Sequence, residues 1–327
     1  MSSDLAIGVD LGATNVKVGL GSFERGILKK IEEKTVRGEG AERLIDQVSR
    51  LIRLVAENKL TKVRAIGIGS IGTLDLVRGV ILNPANASFR NVPIVEVLSE
   101  RFKLPVYLLN DCSAAVLGEK AFGAGRGLDN LFYVTLSSGI GGGAIVNGTL
   151  LLGKDGNAVE IGHISVDFDE GLPCPCGSRG HWEAYCSGRS IPVFARYLVD
   201  KNPEKFRGSL LERLIADGSL TPEILFDMAR NGDRYALEVV NEIGKINAIG
   251  FANINTLYDP ELITVGGSIT LNNEKLILEP IMKDIKRYTV NRLPKIMVTP
   301  LGGDAVLHGA MALAIKPPPS LVVSAMG

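Results

Sequence analysis

Between Glu160 and Gly188 the chain reads EIGHISVDFDEGLPCPCGSRGHWEAYCSG, a stretch holding three of its four cysteines and two of its three histidines. Cys174 and Cys176 are one residue apart, His181 follows five positions after Cys176, and His163 lies upstream. Two thiolates and two imidazoles are a ligand set that tetrahedral zinc accepts. Gly177 and Gly180 let the backbone turn tightly enough to bring them together. A sparse cysteine is often a small buried hydrophobe and a lone histidine is often packed, but four such residues within nineteen positions favour a metal site. A disulfide between Cys174 and Cys176 would close too small a loop to be relaxed. Cys186 is an alternative fourth ligand in place of either histidine.

Two further stretches suit phosphate. VDLGATNVKVGL (Val9 to Leu20) and LSSGIGGGAIVNG (Leu136 to Gly148) each read as strand, small polar and glycine-containing turn, strand. Glycine permits positive φ and close approach, so consecutive backbone N–H groups in such turns can cradle phosphate oxygens, and Thr14 and Ser138 add hydroxyls. One glycine-rich hairpin turn says little; a pair, with Asp10 at the head of one, says more. Neither fits GxxxxGK[ST], so the P-loop solution is excluded. Between them lies LLNDCSAA, with Asn110 and Asp111 where a buried strand gives way to a helix, the place at which open α/β sheets present groups to a ligand. Phosphoryl transfer to an alcohol needs a carboxylate to accept the hydroxyl proton, donors for the phosphoryl group and Mg²⁺. Asp111, the two turns and Asp10 meet those needs. From spacing alone, however, Asp111 reads better as a helix N-cap.

The elements that position these groups alternate between strand and helix, an α/β pattern. LAIGVD and VKVGL form a hairpin, and apolar residues at helical spacing from Leu44 to Val55 predict the helix after it. VRAIGIGS, VYLLN and LFYVTL are buried strands, and the helix after Asp111 is expected to start on a serine cap. Tyr235 to Leu257 is helical, ELITVGG is a strand ending in Gly266 and Gly267, DAVLHGAMALAI is a closing helix, and PPPSLVVSAMG is a tail or surface strap. At 327 residues and 46% hydrophobic content, two domains with filled cores are expected. Lys plus Arg and Asp plus Glu balance at 36 each, so no basic field invites nucleic acid. No apolar run approaches the ~18–20 residues of a membrane span, and MSSDLAIGVD enters a strand directly, so no membrane partner and a cytoplasmic location are expected.

Taken together these motifs resemble those of the ROK-family sugar kinases, within the actin-like ATPase superfamily, along nearly the whole chain. DLGATNVKVGL resembles the family's first phosphate motif, LSSGIGGGAIVNG its second and LITVGG its adenosine-contacting strand end. EIGHISVD resembles its sugar-binding motif and CPCGSRGHWE its zinc motif. The resemblance implies a two-domain actin-like (ribonuclease H-like) α/β fold with an interdomain cleft. Residues 1–123, joined by a C-terminal helix in 304–327, would form one domain and 124–303 the other. It implies that Asp111 is the catalytic base and that Asn110, Glu160, His163 and Glu183 hold a hexose. ATP would be held by Asp10, Gly12, Thr14, Lys17, Ser138, Gly139, Gly141, Gly266 and Gly267, with Mg²⁺, and structural Zn²⁺ by His163, Cys174, Cys176 and His181. Glucose phosphorylated at its 6-hydroxyl is the expected reaction; N-acetylmannosamine, N-acetylglucosamine and fructose are alternative substrates. The same family includes sugar-responsive repressors with a DNA-binding helix-turn-helix ahead of the core, for which Asp10 leaves no room here, and a non-catalytic sugar sensor is a further alternative. A homodimer or homotetramer is implied. Four positions depart from the family pattern: His181 replaces the usual cysteine, Ser137 and Ser138 stand for glycine and threonine, and Ile71 replaces a proline.

Overall fold

The computed structural model describes residues 5–38, 40–84, 89–169, 171–319 and 321. They group into two compact units, one made of Met1–Tyr133, Gly143–Val159 and Thr299–Gly327, the other of Val134–Gly142 and Glu160–Val298. The first unit ends at Tyr133 where the sequence suggested 123, takes in 143–159, and includes the C-terminal helix.

In chain order the first stretch contains β1 (Leu5–Leu11), β2 (Asn15–Ser22), β3 (Gly26–Lys34), α1 (Ala41–Ala56), β4 (Val63–Ser70), β5 (Leu74–Asp75), β6 (Val80–Ile81), α2 (Ile94–Phe102), β7 (Val106–Asn110) and α3 (Asp111–Ala121). There follow β8 (Leu131–Leu136), β9 (Ile140–Val146), β10 (Thr149–Leu150) and α4 (Glu183–Cys186). Helices α5 (Ile191–Lys201), α6 (Pro203–Phe206), α7 (Leu210–Ala216), α8 (Pro222–Arg230) and α9 (Arg234–Tyr258) come next. The chain then forms β11 (Leu262–Gly266), α10 (Ser268–Asn272), α11 (Glu274–Asp284), β12 (Lys295–Val298) and α12 (Ala305–Ile315).

One five-stranded sheet runs β3-β2-β1-β4-β7 and the other β10-β9-β8-β11-β12. The internal echo seen in the motifs therefore extends to topology: in each sheet the strands lie in the order third, second, first, fourth, fifth. In the first sheet β1, β2 and β3 are antiparallel neighbours, and β4 and β7 add in parallel. Strand β3 was not foreseen, because GILKKIEEK alternates exposed with half-buried positions and buries none fully. Its role as an edge strand explains that pattern. The core of this unit is aliphatic: Ile7, Val9, Leu11, Val18, Leu44, Val48, Leu51, Ile66, Ile68 and their neighbours are almost fully excluded from water.

Helix α12 lies tightly on the sheet and on α3. A Cβ at Gly8 would come 2.7 Å from the Leu307 carbonyl, and one at Gly67 would come 1.9 Å from that of Ala310. At the crossing of the two helices, a Cβ on Gly309 would come 1.6 Å from the Ala114 carbonyl. The glycines thus permit backbone contacts that fix α3, whose first residue is Asp111. No described helix is long and apolar enough to cross a membrane. Of the expected tail, residues 320 and 322–327 lie outside the described residues.

Candidate functional site

In the first unit, Asp10 lies near the end of β1, opposite Lys17 of β2 in the antiparallel register. The turn between them closes with the Gly12 amide donating to the Asn15 carbonyl at 3.0 Å. It is braced from outside by the Thr35 hydroxyl on the Gly12 carbonyl at 2.8 Å and by the Thr35 amide on the Thr14 carbonyl at 2.9 Å. Lys17 Nζ is 3.7 Å from Asp10 Oδ2. Burial pushes the Asp10 carboxyl up to about 7; Lys17 opposes the rise, and the charges of Asp111, Asp304 and Glu32 add to it. A carboxylate so placed is one that a divalent cation would relieve, so the residues present fit Mg²⁺.

Asn110 ends β7, paired with Ser70 of β4. Its Oδ1 caps α3, accepting from the Cys112 amide at 2.9 Å and from the Ser113 amide at 3.4 Å. The cap is therefore Asn110, neither the serine expected nor Asp111. Asp111 is the first helical residue and its Oδ1 accepts from the Cys112 amide at 2.8 Å. With the capping position filled by its neighbour, the Asp111 carboxylate is left half-buried at the head of the helix.

In the second unit, the turn between β8 and β9 closes through the Ser137 amide on the Gly139 carbonyl, 3.0 Å. Among the described residues no protein atom accepts from the backbone amides of Ser138 or Gly139, nor, in the first unit, from that of Thr14. Such amides suit phosphate oxygens. Gly141 continues the turn into β9. Gly266 ends β11, and Gly267, at φ 85°, leads into α10; a Cβ there would come 2.3 Å from the Leu136 carbonyl. The start of the β8–β9 turn and the end of β11 are thereby placed side by side.

Glu183, the first residue of α4, joins this turn to the sugar motif. Its Oε2 accepts from the Ile140 amide at 2.8 Å, and its Oε1 lies 4.0 Å from His163 Nε2. A Cβ at Gly139 would sit 2.8 Å from Glu183 Oε2, so the turn and the glutamate are in close contact. His163 Nδ1 is 3.5 Å from Glu160 Oε2, and the His163 amide donates to the Glu160 carbonyl at 3.0 Å. Glu160, His163 and Glu183 thus form one group.

The four predicted metal ligands also converge: the ligand atoms of His163, Cys174, Cys176 and His181 all lie within 4.8 Å of one another. Cys176 Sγ is 3.3 Å from His181 Nδ1, and the two imidazole rings are 5.4 Å apart. The loop folds on itself with the Cys174 amide on the Ser178 carbonyl at 2.8 Å and the Gly177 amide on the Cys174 carbonyl at 3.0 Å. Gly177 and Gly180 adopt φ of 95° and 71°. Burial pushes the Cys174 thiol up to about 12. Burial acts on Cys176 in the same direction but is outweighed by the Ser178 amide, Cys174 and His163, so that thiol is lowered. His181 is held below its ordinary value by burial and by His163. Two thiols and two imidazoles converging in this way fit tetrahedral zinc. Cys186 stands outside the cluster: its buried thiol faces the Ile243 carbonyl at 3.5 Å. Trp182 anchors the loop to α9, its indole N–H donating to Asn247 Oδ1 at 2.8 Å and its ring occupying the space a side chain at Gly250 would need.

The sequence reading did not single out Asp304, which pairs with Lys17 and Lys30. The only local signal was an acid beside GG at the start of a helix.

The sequence model of the ROK family matches residues 6–317. A glucokinase of Pyrobaculum calidifontis is 39% identical over 315 residues, which cover 96% of this chain and 96% of that protein. Among solved structures, a ROK family glucokinase from Streptomyces griseus in complex with glucose and AMPPNP is 33% identical with a TM-score of 0.76, covering 95% of this chain and 99% of that one. A ROK hexokinase from Thermus thermophilus is 30% identical with a TM-score of 0.81, covering 95% and 98%.

Proposed function

The chain belongs to the ROK family, whose sugar kinases have the two-domain actin-like fold, and from that premise we propose that it transfers the γ-phosphoryl of ATP to the 6-hydroxyl of glucose. The observation that carries this reading is the 39% identity to a glucokinase along 96% of both chains. The site geometry supports it residue by residue.

Asp111 accepts the proton of the 6-hydroxyl as that oxygen attacks the γ-phosphorus. The bond from phosphorus to the β,γ-bridging oxygen breaks, and ADP leaves. The Cys112 amide on Oδ1 and the Asn110 cap orient the carboxylate, which matters because phosphoryl transfer depends on positioning more than on covalent chemistry. Asn110, Glu160, His163 and Glu183 take the sugar hydroxyls. The amides around Gly12 and Thr14 and around Ser138, Gly139 and Gly141 take the phosphates, and Gly266 and Gly267 admit the adenosine. Mg²⁺, held near Asp10, supplies charge neutralisation on the phosphates. Zn²⁺ would be held by His163, Cys174, Cys176 and His181, where it would stiffen the sugar-binding loop and act structurally. His163 belongs to both groups, so the metal would fix the ring that meets the sugar.

The test is ADP release from MgATP against glucose, mannose, fructose, N-acetylglucosamine and N-acetylmannosamine, with a no-sugar control, for wild type and Asp111→Asn. Turnover on glucose that falls by at least about 10³-fold in the variant, with glucose binding retained, is expected. Turnover confined to N-acetylmannosamine would reassign the substrate, and near-normal turnover by Asp111→Asn would place the base elsewhere. Light scattering of the same sample tests the homodimer or homotetramer that the family resemblance implies.

A further inference from the structure

Lys17 reads in the sequence as a nucleotide-binding lysine, yet its ammonium is already engaged on three sides within the first unit. Nζ lies 3.7 Å from Asp10 Oδ2 and 3.6 Å from Asp304 Oδ1, and it donates to the Gly303 carbonyl. An ammonium has three N–H donors; of the three protein oxygens around this one, only the Gly303 carbonyl takes a hydrogen bond from it. Glu32, the residue opposite Lys17 on β3, is engaged by Asn15 Nδ2 at 2.8 Å.

Asp304 holds the other end of this arrangement. It occupies the N-cap position of α12, where an aspartate ordinarily accepts from the first amides of the helix. Here its side chain makes no capping hydrogen bond. The carboxylate turns instead to the sheet, with Oδ1 toward Lys17 of β2 and Oδ2 paired with Lys30 Nζ of β3. The side chains of Lys17 and Asp10 are each 17% exposed and that of Asp304 is 23% exposed, so solvent screens these charges only in part.

The division of the ammonium between two carboxylates has a consequence for Asp10. At 3.7 Å from Asp10 Oδ2 and 3.6 Å from Asp304 Oδ1, the ammonium is within ion-pair reach of both carboxylates and hydrogen-bonded to neither. Remove the charge of Asp304, and Asp10 becomes the carboxylate nearest the ammonium that no other side chain occupies. We propose that Asp304 is a positioning residue for phosphoryl transfer: by competing for the Lys17 ammonium it keeps Lys17 from closing onto Asp10 and so leaves the Asp10 carboxylate open to the Mg²⁺ of the nucleotide. Lys17 is then an internal strut between β1, β2 and the start of α12, and does not itself hold phosphate. The proposal rests on the sugar-kinase reading, since it gives Asp10 its magnesium nucleotide.

Asp304→Asn keeps the shape and removes the charge. In the full-length protein, calorimetric affinity for MgADP should fall by about fivefold, the scale on which a partly exposed ion pair competes. Affinity for ADP in chelator should hold. The Mg²⁺ concentration giving half-maximal glucose phosphorylation should rise by a similar factor while KM for glucose stays put, and Asp304→Glu should restore both. The decisive arm is the double variant Asp304→Asn with Lys17→Met: with no ammonium left to fall onto Asp10, MgADP affinity should return toward wild type. A double variant weaker than Asp304→Asn alone would show Lys17 to be a phosphate ligand and overturn the proposal. So would Asp304→Asn with a lowered Tm and unchanged Mg²⁺ dependence. A wild type that binds MgADP but phosphorylates no sugar would sink the kinase reading instead, and the ADP arms would still decide the role of Asp304.

Discussion

Glu183 offers a test in which two substitutions at one position should produce different patterns. Its Oε2 accepts the Ile140 amide at 2.8 Å, at the edge of the second phosphate turn, and its Oε1 faces His163 in the sugar group. Glu183→Gln keeps an acceptor for that amide but loses the charge. A hydrogen bond to an ionised group contributes about 1.5–3 kcal/mol against about 1 kcal/mol for a neutral one. The glucose hydroxyl should therefore lose about 1 kcal/mol, and KM for glucose should rise about fivefold, with KM for ATP and Tm nearly unchanged. Glu183→Ala removes the acceptor as well. Ile140 is buried, and an orphaned buried amide costs about 1–3 kcal/mol. For a protein of this size that is a fall in Tm of no more than ~2–4 °C per kcal/mol. The turn is then free to shift, so KM for ATP should rise together with KM for glucose. Steady-state kinetics in both substrates and a thermal melt on each variant decide the matter. If glutamine raises KM for ATP as much as KM for glucose, or alanine leaves Tm and KM for ATP at wild-type values, the claim that Glu183 couples the two groups is wrong.

Other outcomes follow from the same geometry. Removal of zinc by a chelator, verified by elemental analysis, should weaken glucose binding and lower Tm together, because His163 serves both groups; unchanged glucose affinity in a zinc-free sample refutes the coupling. Gly309→Ala places a Cβ 1.6 Å from the Ala114 carbonyl and should destabilise by about 1–3 kcal/mol or more while lowering kcat, as α3 is displaced; an unchanged denaturation midpoint would show that the helices have room to part. Glu119 is buried, and burial raises its carboxyl above the ordinary value of 4.5 against the opposing Thr299, Ala124 and His308. The folded state therefore holds that proton more tightly than the unfolded chain, so its contribution to stability is complete below 4.5 and is lost as pH climbs through the folded value. Melts across that range should show a slope that Glu119→Gln flattens, and an identical slope in the variant would assign the effect to other groups.

What could be read from the sequence was what is local in it. The four candidate metal ligands lie within one short segment, whose glycines already imply a tight loop, and their ligand atoms lie within 4.8 Å of one another. The hairpins announced themselves by strand, turn and strand in immediate succession. Strand β3 was missed because an edge strand with no fully buried side chain lacks the apolar alternation that periodicity detects. The units also change over at other positions than the sequence suggested, for a different reason. The chain leaves the first unit at 134, returns at 143, leaves again at 160 and returns at 299, and no change of composition marks crossings made within single strands such as β8 and β9.

Asp304 escaped notice because its partners lie far away in sequence, and comparison with Asn110, which the sequence did single out, shows why residue type alone could not reveal its role. Both stand at the N-cap position of a helix and both belong to the residue class that caps helices. Asn110 does so, accepting from Cys112 and Ser113, and by filling that position leaves the next residue, Asp111, as a carboxylate at the helix head. Asp304 does not, because Lys17 and Lys30 on neighbouring strands lie within reach of its oxygens and an ammonium outcompetes a neutral amide for a carboxylate. The competition is decided by the register that brings β2 and β3 together, and by the glycines at 8 and 67 that let α12 approach the sheet. The same local chemistry thus yields a cap in one place and an electrostatic strut in the other, and the difference lies in the packing that delivers the competing partner.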